Sequence, residues 1–168
     1  NPKGLDLQAI HAHVAEHGQL AGFAGGDPID NAQLLELKCD ILVPAAVQNQ
    51  ITAENASRLK CKLLAEGANG PTTLEADSIL DEMGVFVLPD ILGNAGGVTV
   101  SYFEWVQDTQ NFTWTLAEIN GRLQKVMVAA FERTLLRSQR EKLNMRTAAL
   151  IEGIERVAQA KLLRGLFP

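Results

Sequence analysis

Three apolar runs, beginning at residues 40, 62 and 85 and each ending in a polar loop, constrain the fold of this chain more than any other feature. Asp40-Ile41-Leu42-Val43-Pro44 leads into Ala45-Ala46-Val47-Gln48-Asn49-Gln50. Lys62-Leu63-Leu64-Ala65-Glu66 leads into Gly67-Ala68-Asn69-Gly70-Pro71. Val85-Phe86-Val87-Leu88 stops at Pro89, and a loop carrying Asn94 and the pair Gly96-Gly97 follows. Each interval has room for one short helix. Apolar runs without alternation suit parallel strands covered on both faces, so the pattern predicts a βαβαβ unit with right-handed crossovers.

The intervening segments carry helix signals. Thr52 is placed to cap a helix running to about Lys60, and Thr72 with Glu75 reads as a capping box for a helix ended by Gly84. Upstream, Leu5 to His17 reads as a helix closed by Gly18, and a second short one starts at Asp30 or Asn31. Beyond Trp105 the pattern is helical. Thr115 and Glu118 form a capping box before an amphipathic stripe from Leu116 to Leu135. After a break at Leu143-Asn144 a last helix runs from about Met145 to Leu163, with Ile151, Ile154, Val157 and Ala158 expected inward. The expected class is α/β: a partial Rossmann-like parallel sheet, the second half of a doubly wound fold, followed by a C-terminal helical segment. We divide it at 1–108, a partial dinucleotide-binding domain, and 109–168, a helical segment packing on it.

Composition narrows the function classes. A net charge of −5 with no Lys/Arg cluster argues against a nucleic-acid partner, and no apolar run reaches bilayer-spanning length, which argues against a membrane one. No charged-then-apolar leader is visible. Cys39 and Cys61 read as free thiols at strand starts, suited to a reducing cytoplasm.

In an open α/β sheet, ligands bind beyond the carboxyl ends of the strands. In the loops there, the carboxamides of Asn69 and Asn94 each offer a donor and an acceptor. Gly67, Gly70, Gly96 and Gly97 permit close approach or positive φ. Such a set suits a flat, neutral ligand, and it also suits plain turns. No Gly-x-Gly-x-x-Gly fingerprint occurs, so the usual pyrophosphate loop is not in these residues. Glu66 and Asp90 are open between a general-base role and capping of backbone. Ser101, one turn into the helix after the glycine pair, can face the same crevice. His13-Val14-Ala15-Glu16-His17 matches H-x-x-E-H, yet that helix ends at once and no ligand context follows, so a solvated helix face is expected and no metal.

The loops Pro44-Ala45-Ala46, Glu66 to Thr73 and Asn94 to Trp105, with Asn144-Met145-Arg146-Thr147-Ala148-Ala149 and Leu163-Arg164-Gly165, closely resemble hexameric glutamate dehydrogenase. The resemblance covers essentially the whole chain but only part of that family: the substrate domain, first strand, glycine loop and ribose-binding end have no counterpart here. It implies oxidation of L-glutamate to 2-oxoglutarate and ammonium, with hydride passed to NAD or NADP, in a homo-hexameric parent. It implies Asn69 and Asn94 near the nicotinamide and its ribose, and Ala45 and Ala46 lining the cofactor cleft. Ser101 would bind a substrate carboxylate and the Val98 carbonyl would orient the amino group. The family's catalytic lysine and aspartate have no counterpart, so no catalytic residue is expected in this chain. Leu74 stands where proline is frequent and Gly93 where alanine is common. The alternatives are a branched-chain or aromatic amino-acid dehydrogenase, and a non-catalytic folding or assembly module.

Overall fold

The computed structural model describes residues 1 and 3–165. It divides into two compact units, Asn1–Leu37 and the chain from Lys38 onward. In the first, α1 (Leu7–His17) is capped by Asp6 and closed by Gly18 at φ 72°. Its rings His13 and His17 stack at 4.3 Å. A second helix, α2 (Asn31–Leu35), starts in a capping box between Asp30 and Gln33. Helix α1 buries none of its side chains.

The second unit holds the sheet. Strands β1 (Ile41–Leu42), β2 (Leu63–Ala65) and β3 (Phe86–Leu88) pair in parallel in the order β1-β2-β3. The register sets Leu42 beside Leu64 and Leu64 beside Val87. Because side chains alternate faces, those three share one face. It packs on a core built from Ile51, Ala56, Leu59, Cys61, Ala76 and Leu80, with Leu64 at its centre. The other face carries Ile41, Leu63 and Phe86 in register, and Ile41 is 59% exposed. Coverage on both faces was expected. Here α7 packs on β3, but Ile41 of β1 and Val43 just beyond it stay open.

The crossover segments are shorter than their sequence signals suggest. In place of a helix from Thr52 to Lys60 there is one 3₁₀ turn, Ala56–Arg58. The Asn55 side chain accepts from Thr52 N and donates to the Gln50 carbonyl, which folds the segment back before a helix can propagate. Helix α3 (Leu74–Glu82) starts one residue later than its capping pattern implied: Thr73 is the N-cap. Thr72 is drawn instead into a parallel bridge with Ile51.

After β3, the expected loop is a helical turn, α4 (Asp90–Gly93), leading directly into α5 (Gly96–Gln110). Long α6 (Leu116–Glu141) begins in the expected Thr115–Glu118 capping box, and α7 (Met145–Arg164) begins at its N-cap Asn144. Phe103 of α5 meets Trp114 edge-on at 5.7 Å, and Arg122 of α6 lies over that indole. The first turns of α7 bury Met145, Ala148 and Ala149 against α6, β3 and α4. Of the residues expected inward, Ile154, Val157 and Ala158 are exposed, because only the start of α7 meets the sheet. No described helix is long and apolar enough to cross a membrane.

Candidate functional site

The three strand-end loops are laced together through their backbones. The Pro44 carbonyl accepts from Gly67 N and Ala68 N at 3.1 and 2.9 Å, and the Leu88 carbonyl accepts from Glu66 N at 3.0 Å. Asn49, in the left-handed region, donates its N–H to the Gly70 carbonyl at 2.9 Å. Gly67 is a close approach: a Cβ there would lie 2.9 Å from the Ala45 Cβ. Gly70 supplies a turn at φ 54°. Gly96 and Gly97 do neither, since a Cβ on either meets no protein atom within 4 Å. Gly93 also touches this framework, because a Cβ there would stand 3.0 Å from the Glu66 carbonyl oxygen.

On this framework Asn69 and Asn94 come together. Asn94 Nδ2 donates to Asn69 Oδ1 at 2.7 Å and reaches the Gly67 carbonyl at 3.4 Å. Both Asn94 donors are then engaged, and so is the Asn69 acceptor. Asn94 Oδ1 and Asn69 Nδ2 have no further partner among the described residues. Beside them, Ala46, Val47, Gln48, Gly67, Ala68 and Asn69 line an open groove of about 590 Å³. Ala45 and Ala46 are both exposed. Helix α5 begins two residues after Asn94, at an Ala95 N-cap that gives no side-chain bond. Its exposed Val98 and Ser101 are three residues apart, hence on one helix face.

Beneath the loops lies a cluster of charges in which Glu66 and Asp90, singled out from the sequence, meet Arg146 and Asp77, which were not. Arg146 Nη2 donates to Glu66 Oε1 at 2.6 Å and Nη1 to Asp90 Oδ1 at 3.3 Å, while Nε lies 3.1 Å from Asp77 Oδ1. Glu66 Oε2 accepts from Asp90 N, and Asp90 Oδ2 accepts from Gly70 N, each at 2.8 Å. Glu66 and Asp90 thus cap backbone and pair with a cation at once. Burial pushes the Asp77 carboxyl above its ordinary pKa, against the pull of Arg146. Burial also draws Arg146 down, but Glu66 and Asp77 outweigh it and hold the guanidinium above its usual value. One signal could have flagged Arg146. It is the second residue of α7, where a cation opposes the helix dipole unless anions face it.

The other sequence candidates lie elsewhere. His13 Nε2 is 3.2 Å from the Ala21 carbonyl and His17 Nδ1 is 3.0 Å from the His13 carbonyl. Among the described residues no metal-ligating group of three side chains assembles. Cys61 is buried and Cys39 half-buried, both free. Burial, then the neighbouring Cys39, raises the Cys61 thiol pKa.

The Glutamate/Leucine/Phenylalanine/Valine dehydrogenase family matches residues 1–165. The chain belongs to this family. A glutamate dehydrogenase of Thermotoga maritima is 51% identical over all 168 residues, and the match takes in 40% of that relative. The catabolic NAD-specific glutamate dehydrogenase RocG of Bacillus subtilis is 47% identical over 98% of this chain and 39% of its own. Among solved structures, the hetero-hexameric glutamate dehydrogenase of Thermus thermophilus, in a Leu-bound form, superposes with a TM-score of 0.89 at 29% identity. It covers all of this chain and 39% of that one. The enzyme from Peptoniphilus asaccharolyticus gives 0.81 at 34% identity, over 99% of this chain and 37% of its own. The chain therefore spans about 40% of the length of these dehydrogenase relatives.

Proposed function

We propose that this chain is the cofactor-facing part of a glutamate dehydrogenase. The reaction is L-glutamate, water and NAD(P)⁺ going to 2-oxoglutarate, ammonium and NAD(P)H. The observation that carries this reading is the Asn69–Asn94 pair. It leaves one acceptor, Asn94 Oδ1, and one donor, Asn69 Nδ2, without a partner among the described residues, at the carboxyl edge of a parallel sheet. A primary carboxamide presents the complementary donor and acceptor, and the nicotinamide ring carries one. The residues fit such a group: Ala46, Gly67 and Ala68 leave room in the groove beside the polar Gln48 and Asn69, and Cβ atoms at Gly96 and Gly97 would meet only open space. The names of several relatives specify NAD, which favours it over NADP.

A bound nicotinamide supplies hydride acceptance, and the protein supplies orientation and dryness. In this reading Asn69 and Asn94 fix the rotation of the carboxamide, and Ala45 and Ala46 wall the cleft. Ser101 donates its hydroxyl to a substrate carboxylate. The Val98 carbonyl, in the first turn of α5, accepts from the substrate amino group with its second lone pair. No residue of this chain is assigned proton transfer. We read residues 1–108 as the cofactor side and 109–168 as the helical segment. We place the assembled enzyme in the cytoplasm as a homo-hexamer; a hetero-hexameric neighbour supports the count of six subunits.

The test is turnover by the assembled enzyme with L-glutamate and NAD⁺, followed as NADH. Reduction of 2-oxoglutarate no faster than a buffer blank sinks the reading. Ser101→Ala is expected to raise KM for glutamate by about tenfold while KM for NAD⁺ stays unchanged, the loss of one hydrogen bond to a charged group. An unaltered glutamate KM removes Ser101 from the site.

A further inference from the structure

Arg146 is far from the loops in sequence, and every bond it makes leads back to them or to the helix beneath them. It stands in the first turn of α7 with its side chain only 15% exposed, a costly place for a cation. Its three carboxylates come from three different elements: Glu66 from the end of β2, Asp77 from α3 and Asp90 from the start of α4. Two of these carboxylates pass the contact on. Asp90 accepts from Gly70 N, which holds the peptide group immediately after Asn69. Glu66 accepts from Asp90 N, which holds the start of α4. That single turn carries Asn94, whose own N–H donates to the Asp90 carbonyl at 3.0 Å. Both halves of the carboxamide pair are therefore set by carboxylates that Arg146 grips.

Arg137 provides the contrast. It is equally buried and binds Glu141, Glu152 and Glu155, all on α6 and α7, with no contact to a strand-end loop. Arg137 staples two helices. Arg146 connects the second of them to the site.

We propose that Arg146 is a positioning residue: from the first turn of α7, acting through Glu66 and Asp90, it sets the spacing of the Asn69 and Asn94 carboxamides. The inference rests on the reading of that pair as the nicotinamide clamp. Removing the guanidinium leaves three carboxylates facing one another with no cation, and their repulsion drives the β2 loop and α4 apart.

The experiment uses the isotope-labelled full chain. It follows the side-chain amide signals of Asn69 and Asn94, their hydrogen exchange, and their response to NADH. Arg146→Met is expected to speed exchange at the Asn94 carboxamide by about tenfold, the loss of a charge-assisted bond network. Arg146→Lys, which keeps the charge without the fork, should fall between. Arg137→Met should leave both signals in place. If Arg146→Met does not fold, Arg146→Lys and Glu66→Gln decide, and unaltered carboxamide signals in both overturn the proposal. It is equally overturned if Arg137→Met moves the pair as far as Arg146→Met. Positioning stands, and the cofactor reading alone fails, if the pair responds to Arg146 but NADH perturbs neither carboxamide. Both stand if NADH shifts the pair in the natural chain and Arg146→Met weakens that binding by about tenfold.

Discussion

At the scale of single residues, Asp77 shows how burial and pairing compete. Its side chain is 13% exposed and 3.1 Å from the Arg146 guanidinium, yet its pKa is raised. Burial is the largest cause, and the nearby carboxylates Glu66 and Asp81 add to it. Arg146 is shared among three anions, so the attraction each receives is diluted. A carboxyl whose pKa is higher folded than unfolded favours the folded state only while protonated. That contribution is present below the ordinary value of 3.8 and is lost as pH rises through the raised one. Asp77→Asn cannot ionise. Its melting temperature relative to the natural chain should therefore climb as pH increases from 3.8 toward neutrality. Melting curves over that range check the sign, and a gap that narrows with rising pH would show that Arg146 outweighs burial.

At the scale of elements, the loops after β1 and β2 depend on one missing side chain. A Cβ at Gly67 would lie 2.9 Å from the Ala45 Cβ and 3.3 Å from its Cα, so backbone would have to give way. The bonds from Gly67 and Ala68 to the Pro44 carbonyl hold the loops at that distance. Gly67→Ala should destabilise the fold by about 1–3 kcal/mol, the usual cost of overpacking. Ala45→Gly should recover most of that loss in the double variant, since the two sites touch. Strictly additive denaturation midpoints would refute the contact. Much of this level was legible beforehand. The spacing of the apolar runs placed all three parallel strands, and Asn69 and Asn94 were singled out from the loops that follow them. What escaped reading was decided by tertiary partners. Thr72 forms a bridge with Ile51 and yields its capping role to Thr73, and Asn55 ends a helix that Thr52 seemed to start. Arg146 could be noticed as a cation at the wrong end of a helix. Its three anions are distributed over Glu66 to Asp90, and only folding brings them within reach.

At the scale of the whole molecule, the sheet is finished on one face and unfinished on the other. Leu42, Leu64 and Val87 are packed, while Ile41 and Val43 are 59% and 55% exposed. Ile41 lies in β1 at the edge of the sheet, and Val43 follows directly after that two-residue strand. An apolar surface of this kind beside unpaired strand edge favours association. The isolated chain should therefore self-associate as its concentration rises, by sedimentation or light scattering. Ile41→Lys combined with Val43→Lys should suppress that association and leave the unfolding free energy within about 0.5 kcal/mol of the natural chain per substitution, as for exposed sites. The core beneath Leu64 does not depend on either side chain, so a large loss of stability would mean that this face is already covered. If association persists unchanged in the double variant, the sticky surface lies elsewhere. The exposed Ile154 and Val157 of α7 are then the next positions to charge.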